Sequence, residues 1–217
     1  MRIGLFGGTF NPIHFGHINV SKEIKEQFEL DTIYMVPSAI PPHKKRQEVA
    51  DAQDRLNMTR LAVSNLDGYL VSDIELIRSG PSYTIDTINH FSKILPENTK
   101  TYLILGMDSF LEIDTWMSYK ELFTKLPLII MSRPGTEHVK LQQLKTYIQE
   151  KISDNYWFQE KKNCFLHQTN RSIYLVTVTP YDISSTEIRK LIRQQKPLQN
   201  LIPEQVEQYI RSEGLYI

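Results

Sequence analysis

The 217-residue chain has no excess of charge of either sign: 25 Lys and Arg are matched by 25 Asp and Glu. A general nucleic-acid or anionic-membrane binder draws its affinity from surplus Lys and Arg that neutralise phosphates. The balance excludes that class, so any bound anion must be held locally. Cysteine is limited to Cys164, which excludes an internal disulfide framework. With 9 Gly and 11 Pro the chain is far from low-complexity sequence, and 41% hydrophobic against 23% charged residues matches an ordinary globular protein. No apolar run approaches the roughly 18 residues of a membrane span. Met1-Arg2-Ile3 reaches Gly7 too soon for a signal peptide, so the expectation is a cytoplasmic protein. A chain of this size buries roughly 70% of its unfolded surface, and residues 1–217 read as one domain.

Short apolar runs alternate with amphipathic segments of helical length. The runs are Ile3–Phe6, Thr32–Val36, Tyr69–Ser72, Tyr102–Leu105, Leu128–Met131 and Ile173–Val178. The helical segments are Ile18–Phe28, Arg55–Leu66, Tyr83–Leu95, Tyr119–Leu126, Val139–Ile152, Thr186–Arg193 and Pro203–Arg211. This alternation predicts a doubly wound, Rossmann-like α/β fold: a mostly parallel sheet of about six strands with helices on both faces. The polar stretch 153–171 reads as an insertion or surface loop. In such folds ligands sit beyond the carboxyl ends of the strands, so the residues that follow each run carry the functional information.

After the first run come Gly7-Gly8-Thr9-Phe10-Asn11-Pro12-Ile13-His14-Phe15-Gly16-His17. Paired glycines let backbone approach a ligand, and a helix opening there aims unpaired N–H groups at it, which marks a phosphate site. The tract is neither a P-loop nor the Gly-x-Gly-x-x-Gly fingerprint. His14 and His17 at the helix entrance can donate to phosphate oxygens and, if charged, stabilise negative charge in nucleotidyl transfer. They also suit capping or surface roles, and His-x-x-His is half of a zinc motif, but no second ligand cluster accompanies it, so no metal site is expected.

Gly-Gly-Thr-Phe-Asn-Pro-Ile-His-Phe-Gly-His resembles the HxGH nucleotidyltransferase signature, and its long form is similar to that of bacterial nicotinate-nucleotide adenylyltransferases. The resemblance implies that Gly7, Gly8, Thr9, Phe10, His14 and His17 bind ATP. Asn11 stands where many relatives carry Asp. After the second run, Pro41-Pro42-His43-Lys44 matches a recurring family element, which turns Lys44 from a basic loop residue into a phosphate contact and catalytic candidate. Ser79-Gly80-Pro81-Ser82-Tyr83-Thr84 is turn-then-cap chemistry with Ser82 as N-cap. The family places Tyr83 and Thr84 at the mononucleotide. Gly106 and Asp108 follow the fourth run, where purine or ribose would lie, although Asp108 also suits a helix cap. Trp116 reads as core by composition and as a ring-stacking residue by resemblance. Arg133, in Ser132-Arg133-Pro134-Gly135, would grip the mononucleotide phosphate. Ser184-x-x-Glu187 is a capping box, and Ile183, Ser184 and Arg189 would hold the β and γ phosphates.

The implied activity is adenylyl transfer from ATP to nicotinate mononucleotide, giving nicotinate adenine dinucleotide and pyrophosphate in NAD biosynthesis, by direct in-line attack with no covalent intermediate. His14, His17, Lys44 and Arg189 are the expected catalytic residues. Mg²⁺ is expected with ATP, while nucleic acid and membrane partners are not expected and a homo-oligomer is left open. A phosphopantetheine adenylyltransferase shares the HxGH element but lacks the Gly-Pro-Ser-Tyr-Thr and Ser-Arg-Pro-Gly tracts. A nonenzymatic nucleotide sensor of the same fold would have no need to keep the charged and imidazole residues. An RNA-binding module is opposed by the zero net charge.

Overall fold

The computed structural model describes residues 1–40, 49–78, 80–132 and 137–217, without the side chains of 137–140. Lys44 and Arg133 therefore lie outside the described residues. The strands are β1 (Arg2–Gly8), β2 (Thr32–Pro37), β3 (Tyr69–Val71), β4 (Lys100–Gly106), β5 (Leu128–Ser132), β6 (Trp157–Gln159), β7 (Cys164–Leu166) and β8 (Ile173–Thr177). The helices are α1 (Phe15–Gln27), α2 (Ala52–Val63), α3 (Ile74–Ile77), α4 (Thr84–Ile94), α5 (Met107–Phe110), α6 (Tyr119–Lys125), α7 (Glu137–Tyr147), α8 (Ser185–Arg193) and α9 (Glu204–Ser212).

The chain divides into two compact units, Met1–Leu5 with Tyr83–Pro180 and Phe6–Ser82 with Tyr181–Ile217. Strand β1 contributes to both. In the first unit the strand order is β1-β4-β5-β8-β7-β6 and in the second it is β3-β2-β1.

In the first unit β4 pairs with β5 and β5 with β8 in parallel, in registers that include Ile104 with Ile129 and Ile130 with Leu175. Leu128, Ile129 and Ile130 are fully buried, as expected for strands covered on both faces. Stretch 153–171 is not merely a loop. It contains β6 and β7, an antiparallel pair that extends the sheet from β8, so the described residues hold eight strands rather than about six. Phe165 and Cys164 are buried there, and the Phe158 and Phe165 ring centroids lie 4.9 Å apart. In the second unit β2 and β3 are parallel. Helix α9 packs on α2, where Tyr209 Oη donates to Asp54 Oδ1 at 2.9 Å and accepts from Asn57 Nδ2 at 3.0 Å.

Candidate active site

The second unit builds its site around the chain between β1 and α1. His14 is the N-cap of α1, in extended conformation with φ −149° and ψ 169°. Its Nδ1 accepts a long 3.4 Å hydrogen bond from the His17 N–H, which it shares with the His14 carbonyl at 3.0 Å. A capping imidazole is unusual, since Ser, Thr, Asp and Asn dominate this position. Here it fixes the ring at the positive end of the helix. His17 lies one turn on, and the two rings stack with centroids 3.7 Å apart at 26°. Phe10 meets the His17 ring edge-on at 5.1 Å.

Only 6% of His14 is exposed, and burial holds its imidazole down at about 4. At neutral pH this histidine is uncharged. With Nδ1 accepting, its proton resides on Nε2, so it offers a directional donor rather than the positive charge that the sequence also allows.

Gly16, absent from the expected site, makes the stack possible. A Cβ there would stand 2.9 Å from His14 Nδ1 and 3.6 Å from the Cβ of Ile183. At Gly8 a Cβ would stand 2.9 Å from the Phe10 ring. Phe10 itself is buried at φ +46°, in the left-handed region.

Arg189 and Ser184 come to the same loop from α8. Ser184 is the N-cap, accepting from the Glu187 N–H at 3.2 Å, while the Glu187 carboxylate pairs with Lys190 at 3.6 Å. That supports half of the expected capping box. Ser185 Oγ donates to the Pro12 carbonyl at 2.9 Å, and Arg189 Nη1 donates to the Asn11 carbonyl at 2.8 Å. Arg189 Nε is buried and has no hydrogen-bond partner among the described residues. Asn11 Oδ1 accepts from the Ala50 N–H at 3.0 Å and from the Tyr216 hydroxyl at 2.8 Å. The Asn11 amide oxygen thus works here as a neutral acceptor.

Arg55, also unanticipated, holds this loop from behind and is only 1% exposed. Its Nε donates to the Ala50 carbonyl at 2.9 Å, Nη1 to Thr9 at 2.8 Å and Ser38 at 2.6 Å, and Nη2 to Ala39 at 3.1 Å. One planar fork therefore fastens the chain after β1 to the chain after β2. Ser82 is not the N-cap of α4; that position is Tyr83. Its Oγ instead accepts from the Ala39 and Ile40 N–H groups at 2.9 and 3.3 Å.

In the first unit Gly106 is the N-cap of α5, and Asp108 is exposed in the first turn without capping it. A Cβ at Gly106 would meet nothing within 4 Å among the described residues, so protein packing does not impose the glycine. Tyr83 and Thr84 open α4. Trp116 is half-buried after a short 3₁₀ turn, Ile113–Thr115, and so is not a core residue. That turn is held by α7 and its continuation. Tyr147 Oη donates to Asp114 Oδ1 at 2.8 Å and accepts from its N–H at 3.2 Å, and Lys151 lies 3.6 Å from Asp114 Oδ2. Segment 139–171 thereby acquires one task, buttressing the turn that leads into Trp116.

Among the described residues no helix is long and apolar enough to cross a membrane. A family model described as cytidylyltransferase-like matches residues 5–191. The chain is 39% identical to a probable nicotinate-nucleotide adenylyltransferase of Desulfatibacillum aliphaticivorans, with both chains covered completely. Identity is again 39% to the protein of the same description from Thermoanaerobacter sp. strain X514, covering 100% of this chain and 94% of that one. The Plasmodium falciparum nicotinic acid mononucleotide adenylyltransferase complexed with NaAD superimposes with a TM-score of 0.72 at 20% identity, covering 99% of this chain and 97% of that one. A likeness at that identity speaks for the fold. From its full-length kinship and its HxGH geometry, the chain belongs to the cytidylyltransferase-like family and, within it, to the nicotinate-nucleotide adenylyltransferases.

Proposed function

We propose that this chain transfers the adenylyl group of MgATP to nicotinate mononucleotide, releasing pyrophosphate and forming nicotinate adenine dinucleotide in the cytoplasm. The observation that carries the reading is the stacked His14–His17 pair at the N-terminus of α1, with Arg189 bonded to the same loop. A helix N-terminus, the neutral His14 imidazole, the His17 ring stacked on it and one guanidinium form an oxyanion-binding set without a nucleophile.

A phosphate oxygen of the mononucleotide attacks the α-phosphorus in line, one P–O bond forms, and the bond to the β-phosphate oxygen breaks. The attacking phosphate monoester is already largely ionised near neutral pH, so no strong base is required. Catalysis then rests on positioning and on stabilising charge that moves onto the leaving pyrophosphate. His14 and His17 donate to phosphate oxygens. Arg189, whose buried Nε has no partner among the described residues, and Ser184 hold the pyrophosphate. Lys44 offsets charge between the reacting phosphates and Arg133 grips the mononucleotide. Tyr83, Thr84 and Trp116 receive the pyridine ring, while Gly106 and Asp108 receive adenosine. Mg²⁺ arrives as part of MgATP, held by phosphate oxygens and water.

His17→Ala tests this assignment. Loss of an oxyanion donor lowers kcat by about 10² or more with little change in Tm. Turnover close to that of the wild type would refute the role.

A further inference from the structure

The last residues of the chain are folded back in a defined way. Helix α9 ends at Ser212, the Leu215 N–H reaches the Ile210 carbonyl at 3.0 Å, and Gly214 takes the left-handed turn at φ +61°. Tyr216 is itself held at φ +67°, a conformation that a bulky side chain keeps only when its surroundings impose it. What imposes it is the placement of the ring. Tyr216 Oη donates to Asn11 Oδ1 at 2.8 Å, on the residue whose carbonyl accepts from Arg189 Nη1, also at 2.8 Å. Arg55, which grips the neighbouring Thr9 carbonyl at 2.8 Å, also acts electrostatically on the phenol. Burial raises the hydroxyl above its ordinary value, against an opposing pull from Arg189 and Arg55, so it is a protonated donor at neutral pH.

We propose that Tyr216 is a positioning residue for adenylyl transfer: its hydroxyl orients Asn11, and the Asn11 carbonyl in turn aims the Arg189 guanidinium at the pyrophosphate half of ATP. The inference deepens the proposed function and rests on it. Tyr216 touches no reacting atom. It converts the C-terminal tail, more than 200 residues from the loop in sequence, into part of the support for the phosphate site. Asn11 suits this task as a neutral amide. It takes both the phenol and the Ala50 N–H on one oxygen without placing a carboxylate beside Arg189 to compete with phosphate for its charge.

The test is Tyr216→Phe, which deletes one oxygen and keeps the ring, measured as pyrophosphate release from MgATP with nicotinate mononucleotide, alone and in an Arg189→Lys background. The expected result is a fall of about tenfold in kcat/KM for ATP, a change of less than twofold in KM for the mononucleotide, and a Tm within a few degrees of the wild type. In the Arg189→Lys background, where the Nη1 bond to the Asn11 carbonyl is already lost, Tyr216→Phe should add less than twofold. A lowered Tm with unchanged kcat and KM would overturn the proposal, as would an equal loss in both backgrounds. If the wild type releases no pyrophosphate, the failure belongs to the proposed function. If the wild type is active and Tyr216→Phe matches it, the failure belongs to Tyr216.

Discussion

Replacing Arg55 by Met is the sharpest structural perturbation the molecule allows, because it keeps an unbranched side chain in the same space and removes every donor. Among the described residues the guanidinium makes four hydrogen bonds, to the carbonyls of Ala50, Thr9, Ser38 and Ala39. Bonds from a charged donor contribute roughly 1.5–3 kcal/mol each, so the gross loss is about 6–12 kcal/mol. A neutral replacement no longer carries the desolvation cost of a buried cation, which amounts to several kcal/mol, and the net loss settles near 4 kcal/mol. For a chain of this length that corresponds to a fall in Tm of roughly 8–16 °C. Arg55→Lys keeps the charge but loses the fork, and should cost about 2 kcal/mol. Urea titration measures both variants. An Arg55→Met protein within about 1 kcal/mol of the wild type would refute the claim that this residue fastens the two loops.

Two further perturbations separate geometry from charge. Because burial holds the folded His14 at about 4, below the ordinary 6.5, the unfolded chain takes up a proton that the native state refuses. The stability contribution is fully present above pH 6.5 and is lost as pH falls toward 4, amounting to about 3 kcal/mol over that window. His14→Asn, which keeps a capping oxygen, should remove this share of the pH dependence in urea titrations; an unchanged profile would contradict the neutral buried imidazole. Gly16→Ala should lower kcat by about 10² by displacing the His14 ring. It should leave Tm steady, since Ala favours a helix over Gly by about 1 kcal/mol. Unimpaired turnover would show that the stack is not needed.

Most parallel strands and most helices are legible in the sequence because each is an apolar or amphipathic segment, bounded by polar or turn residues, whose pattern survives without context. The β6–β7 pair is not, because its three-residue strands show no period of two and sit in a polar stretch broken by Lys161-Lys162-Asn163. His14, His17 and Arg189 stand at motif positions; the two histidines stack at the start of α1, and Arg189 reaches the Asn11 carbonyl of the preceding loop from α8. Arg55 was hidden for a physical reason: an arginine on an amphipathic helix reads as surface, and only the folded chain brings four carbonyls around it. Tyr216 was hidden by distance along the chain, and Asp114 and Tyr147 by a contact across 33 residues. The charge state of His14 also required the fold, because burial, which no motif encodes, decides it.

The most direct test of the account is pyrophosphate release by the purified protein with MgATP and, in parallel, nicotinate or nicotinamide mononucleotide. Backbone N–H groups can donate to a ring carboxylate but gain much less from a neutral carboxamide. Rapid release is therefore expected with the nicotinate form, and strongly reduced kcat/KM with the amide. Equal rates with the two would contradict the specificity, and no release with either would contradict the function itself.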